Sequence, residues 1–118
     1  MKKPGSTRTR IDVAIVEPEI QAAVATIVGC TAVQEMYLFG SAAENQMTEN
    51  SDIDILLVFP SDKDLQSGQK ILETKSPLAP RTVDLVWMSR EEFNKKKVIG
   101  GVAYTSVKFG RLLYQRQV

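Results

Sequence analysis

The chain has 118 residues, enough for one domain with a real core and too few for two. Its 43% hydrophobic and 25% charged content is ordinary for a globular protein, and a net charge of +1 gives no bulk attraction to nucleic acid. Histidine is absent, which excludes Ser-His-Asp and Cys-His catalysis, His-bearing catalytic zinc sites and imidazole as a general base.

Lys2, Lys3, Arg8 and Arg10 make residues 1–10 basic, leaving 11 basic against 14 acidic residues beyond them. The first ten residues read as a flexible basic N-terminus, and 11–118 as a single domain. Asp12, Glu17 and Glu19 interrupt the apolar stretch that follows, so neither a signal peptide nor a membrane span of about 18 apolar residues is expected. The single cysteine, Cys30, cannot form an internal disulfide, which suits a cytoplasmic protein, and it reads as a small core residue.

A first helix is expected over 17–29, with Pro18 in its first turn, Ile20, Val24 and Ile27 at helical spacing and Gly29 at its end. Residues 33–39 read as a strand halted by Gly40. "SAAENQ" reads as one or two helical turns, with Ser41 and Glu44 at capping-box spacing, and "TENSD" as a turn. "DIDILLVF", 52–59, reads as a central strand because its later residues are apolar on both faces, and Pro60 ends it. A helix over 62–75, weakened by Gly68, a loop at "SPLAPR" and a strand over 82–88 follow. "SREEF" opens another helix with a second capping box, Ser89 and Glu92, which "VIGGVAYTSVKFG" extends to a cap at Gly110. "RLLYQ" can add a final strand. The fold class is therefore α/β (α+β), a small mixed sheet with helices packed on it.

The carboxylates are the informative feature. Alternation along a strand puts Asp52 and Asp54 on one face, about 6.6–6.8 Å apart at the backbone. Asp84 shares a face with Val86 and Met88. If the two strands are neighbours, about 4.8 Å apart, three acids can converge. Two carboxylates about 4 Å apart repel by roughly 4 kcal/mol at an effective dielectric near 20, so such a cluster needs a cation. Oxygen donors suit magnesium, calcium or manganese. A pair of magnesium ions would turn the repulsion into a site for phosphoryl chemistry. Gly40-Ser41, at a strand-to-helix junction, offers main-chain N–H groups and a hydroxyl to an anion. A metal-nucleotide would place its phosphates at Gly40 and Ser41 and its magnesium on Asp52, Asp54 and Asp84. Each residue also has a plainer reading alone: Ser41 as a helix cap, Asp52 as a turn cap, Asp84 as a strand-edge acid.

Gly-Ser, ten residues, Asp-x-Asp and a third Asp on a later strand resemble the minimal nucleotidyltransferase (MNT) domains of the DNA polymerase β-like superfamily. The resemblance is carried by "LFGSAAENQMTENSDIDILLV" and "TVDLVWMSREEF", with "VAYTSVKFGRLLY" similar to the usual ending. It implies transfer of a nucleoside monophosphate, AMP from ATP, to a hydroxyl with release of pyrophosphate. In that scheme Asp52 and Asp54 hold two Mg2+ ions, for which Mn2+ can substitute. Asp84 binds the catalytic metal and helps deprotonate the acceptor, while Gly40 and Ser41 bind the triphosphate. It also implies a HEPN-domain protein as partner, in a toxin–antitoxin pair of which this chain is the antitoxin. Family members often carry a basic residue shortly after Gly-Ser, where this chain has Ala42, Ala43, Glu44 and Asn45. The alternative is therefore an MNT-fold module that neutralises its partner by contact, with chemistry weak or absent. A nucleic-acid transferase ranks last, for want of an aromatic-basic surface motif. Homo- or hetero-oligomerisation stays open.

Overall fold

In a computed structural model, residues 9–116 are described. The elements are α1 (Glu17–Cys30), β1 (Glu35–Phe39), α2 (Gly40–Ala43), β2 (Ile53–Phe59), α3 (Asp62–Glu73), β3 (Val83–Ser89), α4 (Arg90–Lys96), α5 (Gly101–Phe109) and β4 (Arg111–Gln115), with a 3-10 turn at Val13–Val16 before α1. The four strands lie in the order β3-β2-β1-β4. The β1/β2 and β1/β4 pairs are antiparallel and β2/β3 is parallel, so the sheet is mixed as expected.

The apolar pattern fixes which way each strand faces. Met36, Leu38, Ile53, Ile55, Leu57 and Phe59 join Ile20, Ala23, Val24 and Ile27 of α1 and Leu72 of α3 in the main core. The alternate residues Leu56, Val58 and Met88 meet Phe93 of α4 and Ala103 of α5 on the other face. β2 is thus buried on both sides and central, as its apolar run predicts. On that second face Tyr37 stacks on Phe93, and its hydroxyl donates to Glu35, which pairs with Arg90 of α4. These contacts tie α4 to the sheet.

Local chemistry explains most boundaries. The Ser61 hydroxyl accepts from the Asp64 N–H to cap α3, whose first turn carries Asp62 and Asp64 and whose last carries Lys70, favourable ends for the helix dipole. The Ser89 hydroxyl caps α4 by accepting from the Glu92 N–H, as expected, although the Glu92 carboxylate pairs with Lys96.

Several expectations are corrected. Ser41 does not cap α2: the cap position is Phe39, with no side-chain bond, and α2 is a single turn. The helix expected through to Gly110 is broken, because α4 ends at Lys96 and α5 begins at Gly101. Gly100 and Gly101 have φ of 156° and 77°, the latter a left-handed conformation open to glycine. Asp52 lies one residue outside its strand. Cys30 is half-buried rather than core. Val13–Cys30 is, by length and composition, long and apolar enough to cross a membrane, since Glu17 and Glu19 are its only charges. Its apolar stripe is nonetheless buried against the sheet, as in the core helix of a globular domain. The expectation of a flexible basic N-terminus falls mostly outside the described residues; Arg10 bridges to Thr48 and the Ile11 N–H donates to Met47 O at 3.0 Å.

Gly68 is a packing residue as well as a weak point in α3. A Cβ there would lie 2.9 Å from two ring atoms of Phe59, which is fully buried and stacked on Trp87. Gly68→Ala is expected to lower stability in urea unfolding. Overpacking of about 1–3 kcal/mol outweighs the roughly 1 kcal/mol that alanine contributes to a helix.

Candidate active site

The strand register brings the acids of β2 and β3 together. In the parallel β2/β3 ladder Asp54 lies directly beside Asp84, and both alternate with the residues that face the main core, on the same side of the sheet as the residues that meet α4 and α5. On the other side of β2, Phe39 pairs with Asp54, so β1 runs into Gly40 at the same spot. Gly40 has φ of 72°, and a Cβ there would stand 2.5 Å from Asp54 Oδ2. Only glycine lets the main chain pass so close to that carboxylate. Gly40, Asp54 and Asp84 therefore share one corner of the sheet.

Asp54 is half-buried and its carboxyl is held above the ordinary range. Burial is the largest cause, followed by the charges of Asp84 and Asp52. Both other acids thus act on Asp54. They do not close into a cage: among the described residues no group of three or more Asp, Glu, Cys or His side chains is drawn together as a metal-ligand set. The convergence expected from sequence is met by the Asp54–Asp84 pair, with Asp52 half-exposed beyond the strand end.

This donor set fits magnesium nonetheless. Mg2+ is typically bound through one or two carboxylates with substrate phosphates and water completing its shell, so a dedicated all-protein cage is not required. Adjacent hard oxygen donors whose mutual repulsion a cation would relieve satisfy that chemistry.

Ser41 is half-exposed at the start of α2, and its carbonyl accepts from the Gln46 N–H at 2.8 Å. A one-turn helix has little dipole, so any anion here must rely on the main-chain N–H groups and the hydroxyl. Glu44 is exposed at the C-terminal cap of α2, its N–H donating to Gly40 O. The residue that sequence reasoning missed is Arg81, in the loop before β3. With Asp52, Ser51 and Thr82 it lines a depression of about 400 Å³ beside the acids. No periodicity or motif marks it.

A family model for nucleotidyltransferase domains matches residues 17–108. The chain belongs to the nucleotidyltransferase domain family. A Sulfolobus solfataricus structure described as that of a nucleotidyltransferase shares the fold at 20% identity, with a TM-score of 0.62 over 97% of this chain and 94% of that one. A toxin–antitoxin structure with AMP-PNP is similar at 23% identity and a TM-score of 0.49, over 86% of this chain and 74% of that one. A structure of tri-AMPylated Shewanella oneidensis HEPN toxin in complex with MNT antitoxin is similar at 20% identity and a TM-score of 0.40, over 89% and 74%. No curated protein matches the chain. Gly40, Asp54 and Asp84, which meet at the sheet corner, all fall inside the matched segment.

The strain on Asp54 has a measurable sign. A raised carboxyl pKa means the folded state holds its proton more tightly than the unfolded chain does. The stabilisation is complete below the ordinary aspartate range and is lost as pH rises through the raised value. At neutral pH without metal, Asp54→Asn should therefore melt higher than wild type, and the gap should shrink on acidification. Thermal melts in chelator across pH 3–8 test this. A constant gap would mean that Asp54 carries no such strain.

Proposed function

We propose that the chain transfers AMP from ATP to a hydroxyl on a partner protein in a metal-dependent reaction. Membership of the nucleotidyltransferase family supports the transferase class. The observation that carries the metal and nucleotide is the corner itself, where Asp54 and Asp84 lie in register and Gly40 main chain packs against Asp54.

In this reading Asp52, Asp54 and Asp84 hold two Mg2+ ions, for which Mn2+ can substitute, and Gly40 and Ser41 receive the triphosphate. The metal, when bound, neutralises charge on the transferred phosphate and lowers the pKa of a coordinated hydroxyl. The protein's own part is to hold its carboxylates in register, to admit the phosphates past a residue without a side chain, and to orient the acceptor through Asp84. The acceptor oxygen attacks the α-phosphorus, its proton goes to Asp84 or solvent, and pyrophosphate leaves.

The described elements form one small sheet with its helices, and an acceptor carried by another molecule is part of this reading. The sequence resemblance to minimal nucleotidyltransferases supports a HEPN-domain protein in that role, with this chain as antitoxin, in the cytoplasm. The second reading, neutralisation by contact alone, is favoured by Glu44, an exposed acid on the segment that follows Gly40-Ser41.

Three experiments separate these readings. Mg2+ with ATP should raise the melting temperature, since a ligand that binds only the native state stabilises it by mass action, and Asp52→Asn with Asp54→Asn should abolish the rise. Asp84→Asn should lower AMP transfer to a partner tyrosine by orders of magnitude while changing ATP affinity only modestly, as labelled-ATP assays with purified partner would show. If wild type performs no transfer yet rescues cells from the toxin, contact is the better account. Glu44→Arg should tighten ATP binding at low salt, with the gain fading as ionic strength rises. Unchanged affinity in calorimetric titration would place Glu44 outside the field of the phosphates.

A further inference from the structure

Asp52 is the acid least fixed by the sheet. β2 begins at Ile53, whose N–H donates to Thr82 O at 2.9 Å, so Asp52 lies just outside the ladder. The turn before it is closed locally, with the Ser51 N–H donating to Thr48 O and the Thr48 N–H to Ser51 Oγ. Those bonds shape the turn, and the Arg10–Thr48 bridge holds its first residue, but none of them anchors its Ser51 end to the rest of the protein.

Arg81 supplies that anchor. Its Nη1 donates to Glu49 O at 3.0 Å and to Ser51 O at 2.8 Å. One nitrogen thus grips the turn at two carbonyls, the second on the residue immediately before Asp52. Arg81 is itself held from behind, because its backbone N–H donates to Glu19 Oε1 at 2.8 Å in the first turn of α1. A continuous chain of contacts therefore runs from α1 through Arg81 to the residue preceding Asp52. The guanidinium Nε is buried without a partner.

We infer that Arg81 is a positioning residue: by fixing the Glu49 and Ser51 carbonyls it sets Asp52 against the Asp54–Asp84 pair, and so sets the affinity of the site for a metal-nucleotide. It does this from outside the site. Nη1 is committed to the two carbonyls, and the effect inferred for it passes through Asp52. The functional half of this inference rests on the metal-nucleotide reading given above.

Two measurements on the full chain separate the inference from that reading. Amide hydrogen exchange by NMR reports the anchor with no ligand present. In Arg81→Ala the Ser51 and Ile53 amides should exchange at least about tenfold faster, while Leu56 and Val58 in the middle of β2 stay unchanged. Calorimetric titration with Mn2+ and ATP, well below the melting temperature, should show affinity reduced about tenfold or more. Arg81→Lys, which keeps a donor within reach of the two carbonyls, should recover much of both. A residue of merely structural importance would lower the melting temperature and leave the Mn2+-ATP affinity of the folded protein intact.

Unchanged exchange at Ser51 and Ile53 in folded Arg81→Ala overturns the inference, as does faster exchange with unaltered affinity. If wild type itself binds no Mn2+-ATP while Arg81→Ala still loosens the turn, the anchor stands and the metal-nucleotide reading fails. Should Arg81→Ala not fold, Arg81→Gln is read by the same two measures, with the same outcomes deciding.

Discussion

The parallel register between β2 and β3 places two carboxylates, Asp54 and Asp84, side by side on adjacent strands, and the rest of the site is arranged around that pair. The register is not free to vary. Ile53, Ile55, Leu57 and Phe59 face the main core, and a slip of one residue would turn all four outward and drive Asp54 into the apolar layer. The core thus determines where the acids go. Their mutual repulsion, added to the partial burial of Asp54, is a standing cost to the folded state that a bound cation would relieve. That cost is tolerable because the opposite face of β2 is packed by α1 and α3, which contribute stability without touching the acids.

Where the sequence was legible, a periodic pattern or a local cap decided the outcome. The apolar run after Asp54 placed β2 in the middle of the sheet, and the alternation in "TVDLVWM" put Asp84 on the face opposite Val83, Leu85 and Trp87. Ser89 capped its helix because the chain there is extended before it turns. Ser41 and Glu44 have the same spacing, yet α2 already starts at Gly40, so Ser41 lies inside the turn, where a hydroxyl cannot cap. The break falls at Gly100-Gly101, where Gly101 adopts a φ of 77° that glycine permits, a departure that helical spacing alone does not show. Arg81 was illegible for a different reason. Its partners are main-chain carbonyls about 30 residues away, and carbonyls have no sequence signature.

The site divides into a rigid part and an adjustable part. Asp54 and Asp84 are set in hydrogen-bonded strands and cannot move far without breaking the ladder. Gly40 and Ser41 sit on a single helical turn, and Asp52 lies past the strand end. Such a partition suits an ion that enters with its substrate, since phosphate oxygens arrive together with the metal and the outer ligands can adjust to both. It also accounts for a site with coupled acids but no closed ligand cage. A pre-formed cage of three carboxylates would concentrate the repulsion that already strains Asp54, whereas holding Asp52 apart limits that strain while no ligand is present. On this view the grip of Arg81 on Ser51 works against the repulsion: it keeps Asp52 near enough to the pair to engage when positive charge appears.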